Sequence, residues 1–87
     1  MERFFFTYGS SEQFPFQHGW TEVVAPDYRA AVAVFRHFHP DITPGLVNCS
    51  DIYPEKHFDF ELHSKYGSCH EVINLTLMRW LAQEAHQ

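Results

Sequence analysis

Positive charge is scarce in this chain: six Lys and Arg stand against eleven Asp and Glu, a formal net charge of −5 with His neutral. Non-specific affinity for nucleic acid comes mostly from Lys and Arg on phosphates, so this balance argues against direct nucleic-acid binding. A partner protein with a basic surface suits it better. Long apolar runs are also missing. Nothing approaches the roughly 18 consecutive apolar residues of a membrane span, and no membrane association is expected. Residues 1–8 carry Glu2, Arg3 and only a short Phe run, too little for a secretory leader, so a cytoplasmic location is the expectation. Only two cysteines are present, Cys49 and Cys69. In a reducing compartment they read as free, packed thiols and not as a disulfide. There is no repeat, low-complexity tract or linker.

What the chain does have is rings. Nine Phe, four Tyr and two Trp make up 17% of 87 residues. A chain of this length buries about 60–70% of its unfolded surface, enough for one aromatic-rich core and a single domain over 1–87. The acidity is uneven. From Met1 to Pro40 four acids face three Arg, whereas from Asp41 to Gln87 seven acids face Lys56, Lys65 and Arg79. Seven His add charge that appears in mildly acidic conditions.

Aromatics at 4, 5, 6 and 8 predict a strand over Arg3–Tyr8 that ends at Gly9, and Trp20–Val24 predicts a second. The segment between them, Gly9–Gly19, is long for a hairpin loop and holds Phe14 and Phe16 around Pro15. Asp27 is suited to cap a helix running to about His39 before Pro40, with Ala31, Val34, Phe35 and Phe38 as its buried stripe. Leu46–Tyr53 alternates as a strand, with Val47 and Cys49 on one side. In 54–65, Phe58 and Leu62 suit a helix while Phe58, Phe60 and Leu62 suit a strand, so period leaves that segment open. Cys69–Leu75 reads as a further strand with Cys69, Ile73 and Leu75 on one face. A last helix from about Thr76 would gather Leu77, Trp80 and Leu81. The order β-β-α-β-(α)-β-α predicts a small α+β sandwich of about four mainly antiparallel strands, with helices packed on one face.

Candidate chemistry is thin. Cys49, Cys69 and His70, with His57 or His63, supply zinc-type ligand atoms, but no two lie at the short spacing of a metal pair. In a regular strand Cys69 and His70 would also point to opposite faces, so the site requires a bulge or turn there. A thiol nucleophile with a His base and Asp51 or Glu71 can be assembled only from scattered residues, because Cys69-His70-Glu71 is a tripeptide and not a triad. No catalytic residue, metal or cofactor is assigned. Glu55 and Asp59, four apart, read as a solvated pair. Gly9-Ser10-Ser11 lacks the pattern of a phosphate-binding loop and reads as a turn.

Two features invite a binding role. Phe14, Phe16 and Trp20 surround the Gly9–Gly19 loop, where rings either plug the edge of the core or anchor a ligand. Asp51, Glu55, Asp59 and Glu61, interrupted only by Lys56, can imitate a short series of phosphates toward a basic cleft. A different reading captures a nucleotide or nucleotide-derived signal at a homodimer interface, with Phe14 and Trp20 stacking on the base and Arg29, Arg36 or Arg3 holding phosphate.

Tyr8-Gly9, Glu12–Gln17, Gly19-Trp20, Phe35 with Pro40-Asp41, Asn48-Cys49 and Cys69–Ile73 together resemble a type of short protein, without assigned activity, carried by phages and prophages of Gram-positive bacteria. The resemblance covers most of residues 4 to 73, and Gln13-Phe14-Pro15-Phe16 is its most distinctive part. No site residues come with it. It implies an accessory role, of the kind played by small acidic inhibitors of host defence such as anti-CRISPR proteins. The leading expectation is a non-enzymatic inhibitor that covers a basic or nucleic-acid-binding surface of a host protein. The alternatives are a nucleotide sponge and a zinc- or thiol-dependent enzyme.

Overall fold

The computed structural model describes residues 1–76. Four strands, β1 (Glu2–Thr7), β2 (Trp20–Ala25), β3 (Asp51–Pro54) and β4 (Cys69–Asn74), form one sheet in the order β3-β1-β2-β4. Pairs β1–β2 and β1–β3 are antiparallel, while β2–β4 is parallel. The α+β class and the mainly antiparallel sheet therefore hold, with β1 alone running against the other three. The helix expected from about Thr76, with Leu77, Trp80 and Leu81, lies outside the described residues.

The consecutive rings of β1 explain the layering. Alternate residues of a strand face opposite sides, so Phe4 and Phe6 must point one way and Phe5 the other. On the first side α1 (Tyr28–Phe38) lies across the sheet, started by Asp27, whose Oδ1 accepts from Ala30 N–H at 2.8 Å. Phe6 stacks on Phe35 with centroids 4.3 Å apart, within a core shared with Phe4, Tyr8, Val23, Ala25, Ala31, Val34 and Ile73. Burial of each such ring contributes roughly 1.5–3 kcal/mol. Of the predicted helix stripe, Ala31, Val34 and Phe35 are buried, but Phe38 is 47% exposed. At the final position of α1, its ring turns edge-on to His37.

On the second side Phe5 stacks on Phe58 at 4.2 Å, and Trp20 meets Phe58 edge-on. Here the expectation of helices on one face is corrected. The 54–65 segment is a 3-10 turn (Glu55–His57) followed by the short helix α2 (Phe60–Ser64), and it packs against the Phe5 side of the sheet. Phe5 alone of the β1 rings points to that side, and Phe58 and Phe60, more than 50 residues on, cover it. Asp59 opens α2, its Oδ1 accepting from Leu62 N–H at 3.0 Å.

One strand is displaced from its expected range and another carries a bulge. The predicted Leu46–Tyr53 strand shrinks to Asp51–Pro54, because Leu46 N–H and Cys49 N–H bond locally to Thr43 and Val47 carbonyls and leave 46–50 as turns. In β4 the register skips His70: Trp20 is opposite Cys69 and Thr21 opposite Glu71. That bulge leaves Cys69 exposed, away from the face that buries Ile73.

Candidate functional site

The Gly9–Gly19 loop is closed at its base, where Tyr8 N–H donates to Gly19 O and His18 N–H to Gly9 O. Gln17 Nε2 braces it from inside by donating to Ser11 O and Phe14 O, both at 3.1 Å. Thus folded, the loop turns Phe14 and Phe16 against the first core, each near Tyr8. Phe16 also stacks on the His70 ring at 4.6 Å. Trp20 is buried in the second cluster, on the other side of the sheet. The three rings are therefore not one exposed anchor. Phe14 and Trp20, in separate clusters, cannot sandwich a base between them.

The loop is pinned by its neighbour in space. Trp20 N–H donates to Ser68 O at 3.1 Å, and His70 Nε2 lies 2.6 Å from His18 O. Gly19 has φ +71°, and a Cβ there would stand 2.1 Å from Ser68 O. Gly67 faces it from the other chain segment, where a Cβ would stand 2.2 Å from Gly19 N. Two glycines are needed for this backbone crossing.

Beside it runs a polar chain. Tyr8 Oη and Thr21 Oγ1 are 2.6 Å apart, Thr21 Oγ1 donates to Glu71 Oε1 at 2.9 Å, and the same carboxylate meets His39 Nε2. The chain satisfies a fully buried Thr hydroxyl. Burial, foremost, pushes the Tyr8 phenol above its ordinary range. These groups tie the end of α1 to β4, and none is an accessible nucleophile.

The thiol and zinc sets are not brought together. His70 is engaged with His18 O and Phe16, and Cys69 Sγ donates to the Glu71 carbonyl. Cys49 is partly buried, and its thiol is pushed up to about 12, chiefly by burial and then by Asp51. Protonated at neutral pH, it is a poor nucleophile. Among the described residues no three His, Cys, Asp or Glu side chains gather as metal ligands.

The acidic series fares differently. Asp51, Glu55, Asp59 and Glu61 are all exposed, following one another from β3 through the 3-10 turn into α2. Three are held in place. Asp51 Oδ2 accepts from Ser50 Oγ, Asp59 caps α2, and Glu55 pairs with Arg3. Arg3 also binds Glu22 at 2.7 Å and lies over the Phe5 and Phe60 rings, 5.2 and 5.5 Å from their centroids. Glu22 first, and then Glu55, hold its guanidinium in the charged form. Glu61 has no hydrogen-bond partner among the described residues.

Interleaved with these carboxylates are apolar side chains that sequence reasoning missed as site residues. Phe60, Leu62 and Tyr66 are exposed, Tyr66 by 70%. The available signal was Asp59, three residues before Leu62, which marks a helix start and removes the strand alternative for 58–62. Of the cations suggested for phosphate, Arg36 is spent on Asp41 at 2.9 Å, Arg3 is paired as above, and Arg29 is exposed. No helix among the described residues is long and apolar enough to cross a membrane. Searches of family models, curated proteins and solved structures find no match.

Proposed function

We propose that the chain is a small acidic, non-enzymatic binding protein that covers a basic, nucleic-acid-binding surface of a host protein, acting as an inhibitor of a bacterial defence system in the host cytoplasm. The observation that carries this reading is the 51–66 segment, where exposed carboxylates alternate with exposed Phe60, Leu62 and Tyr66. Carboxylates steer a basic partner into register, and desolvated apolar side chains supply most of the affinity. Prior fixation of Asp51, Glu55 and Asp59 reduces the ordering cost of association. Phe14 and Phe16 pack against the first core and Trp20 lies in the second, so the reading does not rest on them. The resemblance to phage and prophage proteins supplies the defence context.

The test uses the immobilised chain and lysate of a Gram-positive host carrying a nuclease-based defence. The reading expects capture of a nucleic-acid-binding protein, competition by duplex DNA, and loss of capture with Glu61→Lys/Leu62→Asp. Capture that survives both the competitor and the double substitution contradicts it.

A further inference from the structure

Arg29, Val32 and Arg36 recur at i, i+3 and i+7 in α1 and so share one side of the helix. With Tyr28, Ala33 and Val47 they line an open hollow of about 450 Å³, within the roughly 300–1,000 Å³ of small-molecule sites. Arg29 is exposed and has no ion-pair partner among the described residues. Arg36 is oriented by Asp41, whose Oδ1 accepts from its Nε at 2.9 Å, while its Nη1 makes no hydrogen bond among the described residues. Asp41 therefore fixes this guanidinium without using its outer edge, and the side chain stays 39% exposed. The chain has only six Lys and Arg and a net charge of −5. Two guanidinium groups gathered over an apolar floor are thus a local reversal of its field, suited to an anion.

Tyr28 and Val47 also line the larger groove of about 530 Å³ between the Gly9–Gly19 loop and residues 42–52, so hollow and groove adjoin at these two side chains. Their charges are sorted. Asp51 lines the groove but not the hollow, whereas Arg29 and Arg36 line the hollow but not the groove. An anionic group belongs in the hollow, and an uncharged one on the groove side. There the side chains of Thr43 and Asn48 offer donors and acceptors to a polar ring edge. Tyr28, at the junction, is held edge-on to Phe4 with centroids 6.1 Å apart, yet is 53% exposed. A ring fixed by the core on one edge and open elsewhere is a ready stacking platform.

We infer that this junction binds a nucleoside diphosphate, with its phosphates on Arg29 and Arg36 and its base stacked on Tyr28 at the groove. Seven helical residues separate the two Arg by about 10 Å along the axis, which suits a ligand with two anionic centres better than one with a single centre. Glu55, Glu61, Leu62 and Tyr66 line neither the hollow nor the groove, so the site is separate from the 55–66 surface.

Calorimetric titration of the whole chain at low salt tests this, with ADP, GDP, adenosine and inorganic pyrophosphate as probes. ADP and GDP should bind, and adenosine and pyrophosphate, each lacking half of the ligand, at least about tenfold more weakly. Arg29→Ala should weaken ADP at least about tenfold, with unchanged circular dichroism because Arg29 is exposed and unpaired. Tyr28→Ala should do the same, whereas Tyr28→Phe, which keeps the ring, should bind as wild type does. Absence of binding by both ADP and GDP, ADP affinity indifferent to Arg29→Ala or to Tyr28→Ala, or pyrophosphate binding as tightly as ADP overturns the inference. The capture test above uses Glu61 and Leu62, which lie outside the site, so either reading can fail without the other.

Discussion

Two aromatic-bearing segments of this chain meet opposite fates. In Gly9–Gly19, Phe14 and Phe16 are folded inward by a loop whose base is closed by two backbone hydrogen bonds and whose side is pinned to residues 68–70. In 58–66, Phe58 goes inward onto Phe5, but the short helix after it turns Leu62 and Tyr66 to solvent and leaves Phe60 partly uncovered. Ring content is similar in kind and differs in consequence. Where the backbone returns on itself against a core, rings become structure. Where a cap starts one turn of helix over a single ring, the remaining apolar groups stay available.

The comparison can be broken most strongly at Gly19. A Cβ there meets a backbone oxygen at 2.1 Å on a residue held at φ +71°, so Gly19→Ala should cost about 3 kcal/mol or more. Urea denaturation should show the loss. Phe16→Ala should follow with about 2 kcal/mol, since the ring is only partly buried. By contrast Leu62→Ala and Tyr66→Ala should stay within about 0.5 kcal/mol of wild type in the same assay while weakening partner capture. A loop substitution that is thermodynamically silent, or a destabilising Tyr66→Ala, would erase the distinction.

Smaller effects concern the thiols and pH. Cys69 should react with an aromatic disulfide reagent near pH 8 while Cys49, pushed up to about 12, stays protected in the folded protein. Equal labelling rates would contradict the packing of residues 46–50. The folded state holds the Cys49 proton more tightly than the unfolded chain, whose thiol titrates near the ordinary value of 9.0. That contribution to stability is complete below about pH 9 and is lost as pH rises toward 12. Tyr8, raised in the same direction, adds to the loss at the upper end. The urea midpoint should therefore fall above pH 9, and fall less steeply in Cys49→Ala. A midpoint that is flat between pH 8 and 11 would count against both assignments.

The order and type of β1, β2, α1, β3 and β4 were legible because local chemistry decided them, whereas 54–65 stayed open between helix and strand. Asp27 before an Ala31/Val34/Phe35 stripe specifies α1, and the turn residues around it fix its ends. Sidedness was less legible. Three consecutive Phe in β1 force rings onto both faces, yet which later segment covers Phe5 depends on long-range packing that periodicity does not record. The exposure of Phe14 and Phe16 was likewise undecidable from spacing, since it depends on Gly19 and Gly67 crossing at backbone distance. The parallel pairing of β4 with β2 begins beside this crossing, and the bulge at His70 lies next to it. The acidic series was visible as a sequence run. Its apolar partners were not, because Phe60 and Leu62 fit both periods until Asp59 is recognised as a cap.

The central claim is that the 55–66 surface binds and the Gly9–Gly19 rings do not. It is tested most directly by titrating a captured nucleic-acid-binding partner against two variants side by side, Glu61→Lys/Leu62→Asp and Phe14→Leu/Phe16→Leu. The account predicts loss of affinity by at least about a hundredfold for the first, from one reversed charge and one lost apolar anchor, and little change for the second. Affinity that survives the first pair and collapses with the second would contradict it.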